Sequence, residues 1–186
     1  GGGRLLFLSS RKGENSGLLP GYRNGYEPRD TFVRAVPSSD SMASPDVVRP
    51  VTTVMPEQPR DIYVIDSDGN GLTKLTNGAG NEKHASWSPD GAPDGQRIAL
   101  VSDRDGNDEI YVIAVPDGND TGSGLVRLTD SPEDESYPTW SADGTCLAFV
   151  SYRDGEAGLY VMGADGSGLK KLTDSVDWGT RPRWSP

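Results

Sequence analysis

One sequence cassette recurs along the chain and constrains its fold more than any other feature. Each copy contains an aromatic-Ser turn, a short apolar strand that ends in Ser, an Asp-Gly turn, a strand with one Tyr, and a last strand that ends in Leu-Thr. The aromatic-Ser turn occurs at Trp87, Trp140 and Trp184, with spacings of 53 and 44 residues. Self-similarity at this period is typical of repeat architectures, in which one unit packs on the next.

The apolar segments of the cassette are predicted to be β-strands. They are rich in Val, Ile, Phe and Tyr and are bounded by Gly, Asp, Asn and Pro. The runs are continuously apolar rather than alternating, which is typical of strands that are covered on both faces. No segment shows a helical period. The sequence therefore predicts an all-β fold, a β-propeller of four-stranded antiparallel blades with three blades per chain.

The cassette resembles the repeat of a known family. The segment from Trp87 to Val112, with Trp-Ser-Pro-Asp-Gly followed by Arg-Ile-Ala-Leu-Val-Ser-Asp-Arg-Asp-Gly-Asn-Asp-Glu-Ile-Tyr-Val, is similar to the blade repeat of the TolB-type propellers. The similarity covers residues 61–186 almost continuously and residues 1–13 more loosely. It implies a propeller scaffold of the kind found in periplasmic proteins with protein partners, or attached to peptidases and lyases. It leaves the partner open.

The two ends of the chain carry complementary parts of one blade. If the Trp strand is the first of each blade, the chain opens on a second strand, at Leu5, Leu6 and Phe7, and closes on a first strand, at Arg183, Trp184 and Ser185. Three blades are too few to close a propeller. We therefore expect the terminal strand to complete a blade in trans, in a closed dimer or an open fibre, unless the chain is a fragment of a longer array.

Residues 14–60 match nothing in the cassette. They lie between the second and third strands of the first blade and contain 7 of the chain's 14 prolines. Insertions of this length in compact domains are usually functional or disordered. We expect a Pro-rich arm, either solvated or docked on a neighbouring subunit, within one propeller domain that spans residues 1–186.

The charge of the chain is divided unevenly. The net charge is -10, and residues 61–186 carry 10 Lys or Arg against 22 Asp or Glu. This acidity disfavours nucleic acid as a partner and favours cations or basic protein surfaces. No apolar run is long enough to span a membrane. We expect an extracytoplasmic protein, periplasmic or secreted.

Two Asp-rich turns raise a calcium hypothesis. Asp66 and Asp68 in one turn, and Asp103 and Asp105 in another, offer alternate oxygen donors around a Gly. Neither segment has the complete calcium loop with its terminal Glu. Asp, Asn and Gly also occur at hairpin turns because they tolerate the turn geometry. We expect no cofactor, and calcium at these four carboxylates stays an open alternative.

The connections that leave the fourth strands are predicted to share one end of the propeller with the turns between second and third strands. This end is the candidate binding surface for a protein partner, and it gathers acidic and aromatic side chains: His84, Glu133, Asp134, Glu135, Tyr137, Asp177 and Trp178. Such a mixture suits a basic protein segment, or a sugar ring stacked on Trp178. A solvated acidic rim is the simpler alternative.

Three functions follow as hypotheses. His84 is the only histidine, and no Ser lies in a Gly-x-Ser-x-Gly motif, so we predict no enzymatic activity. The first hypothesis is a protein-interaction module that also assembles with itself by exchange of the terminal strand. The second is a structural subunit of an extracellular fibre. The third is an accessory propeller domain of a larger peptidase or lyase.

Overall fold

The computed structural model describes residues 4–9, 59–76, 78–89, 96–115, 124–177 and 179–185. These residues contain no helix that is long and apolar enough to cross a membrane. Their strands, in chain order, are β1 (Arg4–Ser9), β2 (Asp61–Asp66), β3 (Thr73–Lys74), β4 (Glu82–Trp87), β5 (Arg97–Ser102), β6 (Glu109–Ala114), β7 (Val126–Arg127), β8 (Glu135–Trp140), β9 (Cys146–Ser151), β10 (Gly158–Gly163) and β11 (Lys170–Lys171).

The strands form three separate antiparallel sheets, one for each sequence unit. Blade 1 has the order β1-β2-β3, blade 2 the order β4-β5-β6-β7, and blade 3 the order β8-β9-β10-β11. The prediction of four-stranded antiparallel propeller blades is confirmed, and in blade 1 the described residues supply three strands. Completion of that blade in trans stays a prediction. Residues 14–58 of the predicted arm lie outside the described residues.

The hydrophobic core lies between blades, because successive residues of a strand point to opposite faces. Between blades 1 and 2 the buried side chains include Ile62, Val64, Ile98, Leu100 and Ile113. Full burial of a side chain of this size stabilises the fold by about 1.5–3 kcal/mol. Both faces of blade 2 are therefore used, which explains why its strands are continuously apolar.

A second core of the same kind lies between blades 2 and 3. Blade 2 contributes the side chains of alternate residues that point away from blade 1: Ala99, Val101, Ile110 and Val112. Blade 3 contributes larger side chains that fill the space between the sheets: Trp140, Leu147, Phe149, Tyr160 and Met162. Blade 2 thus presents aliphatic side chains to the larger side chains of blade 3.

Trp140 and Trp184 each reach back to the main chain of the preceding blade. The indole Nε1 of Trp140 donates a hydrogen bond of 3.1 Å to the carbonyl oxygen of Ser86. The indole Nε1 of Trp184 donates one of 3.1 Å to the carbonyl oxygen of Thr139. Ser86 and Thr139 each come directly before the Trp of their own blade. The segment 179–185 therefore lies beside blade 3 at this point as β8 lies beside blade 2.

Candidate functional site

The loops at one end of the blades are held together by hydrogen bonds. The backbone N–H of Asn81 donates to Asp103 Oδ1 at 2.7 Å. The Asn107 side-chain amide donates to the carbonyl oxygens of Ser131 and Glu133, both at 3.0 Å. The connections after the fourth strands therefore lie beside the turns between second and third strands, as the sequence analysis expected. We call this surface the loop end, and it comprises residues 78–81, 103–108, 130–134, 152–157 and 174–177.

Three side chains at equivalent positions meet on the first strands near the loop end. His84, Tyr137 and Arg181 each lie three residues before the Trp of their unit. The rings of His84 and Tyr137 are tilted on each other with centroids 4.0 Å apart. The guanidinium carbon of Arg181 lies 5.1 Å from the centroid of the Tyr137 ring. We call these three residues the inner column.

Two residues of the inner column, His84 and Tyr137, have a strained backbone. His84 has a φ of 49° and Tyr137 a φ of 54°, in the left-handed region that side chains with a Cβ rarely adopt. At both positions the pairing with the second strand shifts in register, between Lys83 and Ser86 and between Ser136 and Thr139. Such a bulge re-aims a side chain, and backbone strain of this kind is concentrated at functional sites.

The imidazole of His84 is held neutral at physiological pH. Burial lowers its pKa, and the nearby positive charges of Arg181 and Lys83 lower it further against the opposing effect of Asp108. The His84 Nδ1 atom is buried and has no hydrogen-bond partner among the described residues. The inner column therefore combines a neutral imidazole and a phenol with the fixed positive charge of Arg181.

An acidic depression lies next to the inner column. It has a volume of about 420 Å³ and is lined by Glu133, Asp134, Tyr152 and Gly155. Glu133 and Asp134 are exposed. Burial raises the pKa of Tyr152, and the proximity of Tyr137 and Asp134 raises it further, so the Tyr152 phenol stays protonated and can donate a hydrogen bond. The loop end thus presents negative charge beside an aromatic and cationic column.

Several residues expected at the binding surface do lie together. The rings of His84 and Tyr137 are in tilted contact, and Glu133 and Asp134 line the depression. Asp177 is exposed in the connection after β11. Trp178 lies outside the described residues. The sequence analysis missed Arg181 and Tyr152. Arg181 could have been found from its position three residues before Trp184. Tyr152 could have been found because it directly follows the Ser that ends the second strand, as Asp103 does in blade 2.

Glu135 is a correction to the expected surface, because its side chain is fully buried. It is 0% exposed. Its Oε1 accepts hydrogen bonds from Arg153 at 2.8 Å and from the Ser151 hydroxyl at 3.0 Å. Glu82, Ser102 and Arg104 repeat this arrangement in blade 2, with an Arg–Glu distance of 2.6 Å. Each Glu–Arg pair therefore joins the first strand of its own blade to the turn that follows the second strand.

Replacement of Glu135 by Gln is expected to flatten the pH dependence of stability between pH 4.5 and 7. Burial raises the pKa of Glu135 from 4.5 to about 7, against the opposing effect of Arg153. The folded state therefore binds the proton more tightly than the unfolded chain, and this stability is complete below pH 4.5 and lost as the pH rises through about 7. Urea unfolding at several pH values measures the effect, and an equal slope in both proteins contradicts it.

The four carboxylates proposed for calcium have protein partners instead. Asp66 accepts a hydrogen bond from Arg4 at 3.2 Å, Asp68 accepts two from Asn70, and Asp103 accepts one from Asn81. Asp105 accepts a hydrogen bond from Tyr111. In the part of the chain that the structure describes, no group of three His, Cys, Asp or Glu side chains could hold a metal ion. The calcium site stays a prediction.

The residues expected in self-assembly are divided between two surfaces. Leu6 packs against the core between blades 1 and 2, and its part in self-assembly stays a prediction. Phe7 is exposed, and the side chain of Leu5 is outside the described part of β1. Arg183, Trp184 and Ser185 are exposed beside blade 3.

Comparisons with known proteins agree with this architecture. The family model of the TolB beta propeller domain matches residues 92–186, just over half of the chain. An uncharacterized protein of Agrobacterium fabrum is 33% identical over 141 residues, which are 70% of this chain and 45% of the relative. The uncharacterized peptidase YuxL of Bacillus subtilis is 36% identical over 99 residues, which are 52% of this chain and 14% of the relative.

A solved structure is also similar. A TolB-type structure from Agrobacterium tumefaciens matches with a TM-score of 0.53 and 31% sequence identity, over 62% of this chain and 42% of that chain. The chain spans less than half the length of each of these proteins. The repeated blades, their antiparallel order and the family match all lead to the same assignment. The chain belongs to the TolB beta propeller domain family.

Proposed function

We propose that the protein is a non-enzymatic TolB-like propeller module that binds a protein partner through its loop end. The observation that carries the proposal is the inner column, in which two strained residues bring an imidazole and a phenol together beside Arg181. Strain of about 1–3 kcal/mol per residue persists only where the surrounding structure imposes it. A binding role gives a reason for this cost.

The charges of the loop end favour a basic extended segment as the part of the partner that is bound. Glu133 and Asp134 line the depression, and Asp177 lies on the same end of the blades. A basic side chain in the depression would be attracted by these carboxylates, and the aromatic rings of Tyr137 and Tyr152 offer it cation–π contacts. The inner column would then orient the rest of the segment.

Exchange of Glu133 and Asp177 for Lys is expected to weaken peptide binding at the loop end by about tenfold or more. The probe is a library of random peptides displayed on phage and selected on the parent protein. The matched control is Asp165→Lys, an exposed carboxylate in the turn between β10 and β11. Selected basic peptides that lose affinity for the double variant and keep it for the control support the proposal. Failure to select any peptide, or equal loss in both variants, overturns it.

A finer part of the proposal is self-assembly by exchange of the terminal strand. The hydrogen bond from Trp184 to Thr139 repeats the bond from Trp140 to Ser86, which supports a role for residues 179–185 as the first strand of a following blade. We also place the protein outside the cytoplasm, in the periplasm or secreted, from the resemblance of its cassette. Fractionation of the source cells, with antibody detection, tests that location.

A second candidate is an accessory propeller domain of a larger enzyme. The similarity to the peptidase YuxL, at 36% identity over 99 residues, favours it. The mass of the native gene product separates the two candidates. A native polypeptide well above 19.9 kDa that carries a hydrolase domain would establish the second candidate, and the loop end would then act on that enzyme's substrates.

A further inference from the structure

The connection between β7 and β8 is fastened to the turn that precedes β6. The Asn107 side-chain amide, which has two N–H groups to donate, bonds the carbonyl oxygens of Ser131 and Glu133, both at 3.0 Å. The N–H of Ser131 donates in turn to Glu109 Oε1 at 2.7 Å. We call Asn107 and Glu109 the loop anchor. The two side chains together hold both donors and acceptors of one short stretch of main chain.

The Glu109 half of the loop anchor is built into the blade. Its side chain is fully buried, and its Oε1 also accepts a hydrogen bond from Arg127 at 2.9 Å. Hydrogen bonds that involve an ionised group are shorter and stronger than those between neutral groups. The acceptor for the Ser131 N–H is therefore fixed in position by the core of blade 2.

The anchored stretch carries the two acidic side chains that line the depression. Asp134 Oδ1 accepts the N–H of Asp108 at 3.0 Å, and the Asp134 carbonyl oxygen accepts the N–H of Tyr152 at 3.2 Å. Asp134 Oδ2 accepts no hydrogen bond from the part of the chain that the structure describes. The carboxylates of Glu133 and Asp134 are thus exposed on a main chain that is held on both sides.

Blade 3 shows that a blade of this fold forms without the loop anchor. The turns before β6 and β10 both contain Arg-Asp-Gly, but Asn107 and Glu109 are replaced in blade 3 by Glu156 and Gly158. A carboxylate cannot donate to a carbonyl oxygen, and Gly has no side chain. The strands of blade 3 nevertheless pair in the same order as those of blade 2. The blade architecture therefore does not require the anchor.

We propose that Asn107 is a positioning residue of the loop end, which with Glu109 sets the carboxylates of residues 133 and 134 before a basic segment binds. This inference rests on the proposed function. A surface that is already ordered loses less conformational entropy when its partner binds, so more of the interaction energy appears as affinity. Asn107 acts through the main chain of residues 131–134.

Asn107→Asp separates positioning from simple charge. The substitution keeps the shape of the side chain, removes its amide donors and places a carboxylate against two carbonyl oxygens. It also adds a negative charge to the loop end, which by long-range attraction alone would strengthen the binding of a basic peptide. If Asn107 positions the loop, this variant instead weakens binding by about tenfold, and Asn107→Ala has a similar effect.

Asn70→Ala is the matched control. The Asn70 side chain also donates a hydrogen bond, to Asp68 at 3.1 Å, but it is exposed in the turn between β2 and β3. The probes are the basic peptides selected on the parent protein, and titration calorimetry measures their dissociation constants. We expect the control to bind these peptides as the parent does.

Hydrogen exchange of the unliganded proteins measures the restraint on the loop without any peptide. We expect the backbone amides of residues 131–135 to exchange at least about fivefold faster in both Asn107 variants than in the parent. The same amides should exchange at the parent rate in Asn70→Ala. The amides of β9 and β10 report whether each variant keeps the blade fold.

The outcomes separate this inference from the proposed function. Unchanged exchange in residues 131–135 overturns the inference, whatever the peptides do. Faster exchange with parent-like dissociation constants, or tighter binding by Asn107→Asp, also overturns it, while the proposed function stands. If the parent selects no peptide, both fail, and faster exchange then assigns Asn107 a purely structural role.

Discussion

Replacement of Trp140 by Ala is expected to lower the free energy of unfolding by about 3–5 kcal/mol. The Trp140 side chain is 6% exposed and belongs to the core between blades 2 and 3. Its indole also bonds the carbonyl of Ser86, and the guanidinium carbon of Arg97 lies 4.8 Å from the centroid of its ring. The substitution leaves a cavity between two sheets and removes the indole that links them. Urea unfolding with linear extrapolation measures the loss.

Trp184→Ala is the matched control for this experiment. Trp184 makes the equivalent hydrogen bond, but its side chain is 40% exposed. We expect the free energy of unfolding to fall by about 1–2 kcal/mol, because the Trp184 side chain buries less apolar surface than that of Trp140. Equal losses of stability in Trp140→Ala and Trp184→Ala would contradict the expectation that burial of the ring contributes more to stability than its hydrogen bond does.

Replacement of Arg153 by Ala is expected to cost about 3–5 kcal/mol at pH 8. The guanidinium group is the positive partner of Glu135, whose side chain is fully buried, and it lies 5.0 Å from the centre of the Tyr160 ring. Loss of Arg153 removes the interaction that lowers the pKa of Glu135, so at pH 8 the buried carboxyl is either charged without its positive partner or must take up a proton. The Ser151 hydroxyl stays as a hydrogen-bond donor to its Oε1. Thermal and urea unfolding of parent and variant measure the cost.

Two comparisons establish that the cost comes from the buried charge. At pH 5 the loss is expected to be smaller, because burial raises the pKa of Glu135 to about 7 and the carboxyl is already protonated there. In a Glu135→Gln background the same Arg153 substitution should also cost less. Asp130→Ala removes an exposed partner of Arg127 and should leave stability close to that of the parent. A loss in Arg153→Ala that is independent of pH would refute the charge explanation.

The blade architecture was predictable because its signals are local and repeated. A Trp and a Tyr recur along the chain, as Trp140 and Tyr160 in blade 3, and the turns between the strands contain Asp and Gly. A strand that is apolar throughout indicates cover on both faces, and the cores on both sides of blade 2 agree. Three copies of the pattern made the prediction robust to the variation in any one of them.

The candidate binding surface was harder to predict, because the exposure of a side chain depends on which face of its strand it lies on. Glu133, Asp134 and Glu135 form one acidic run in the sequence. Glu133 and Asp134 are exposed in the loop before β8, whereas Glu135 is the first residue of β8 and its side chain is buried against Arg153. Leu6 faces the core between blades 1 and 2 for a similar reason, since alternate residues of β1 face blade 2. Composition identifies an acidic run, but it does not say which member of the run begins a strand.

The inner column shows a different limit. His84 and Tyr137 were both expected at the surface, but their contact depends on a left-handed φ at each position. A bulge on a first strand depends on its pairing with the second strand, as between Lys83 and Val101 and between Ser86 and Ala99, so no short window of sequence reveals it. The equal spacing of His84, Tyr137 and Arg181 from their tryptophans was visible, but spacing alone did not indicate that the three side chains meet.

The bonds from Trp140 and Trp184 to the preceding blade also bear on how such proteins evolve. The acceptor is a main-chain carbonyl, supplied by Ser86 in one blade and by Thr139 in the next. A main-chain acceptor is present whatever side chain the position carries, so the join between neighbours places no demand on that residue. Duplication of a unit within a gene would therefore bring with it a ready-made attachment point, and copies could diverge in their loops without losing the register of the stack.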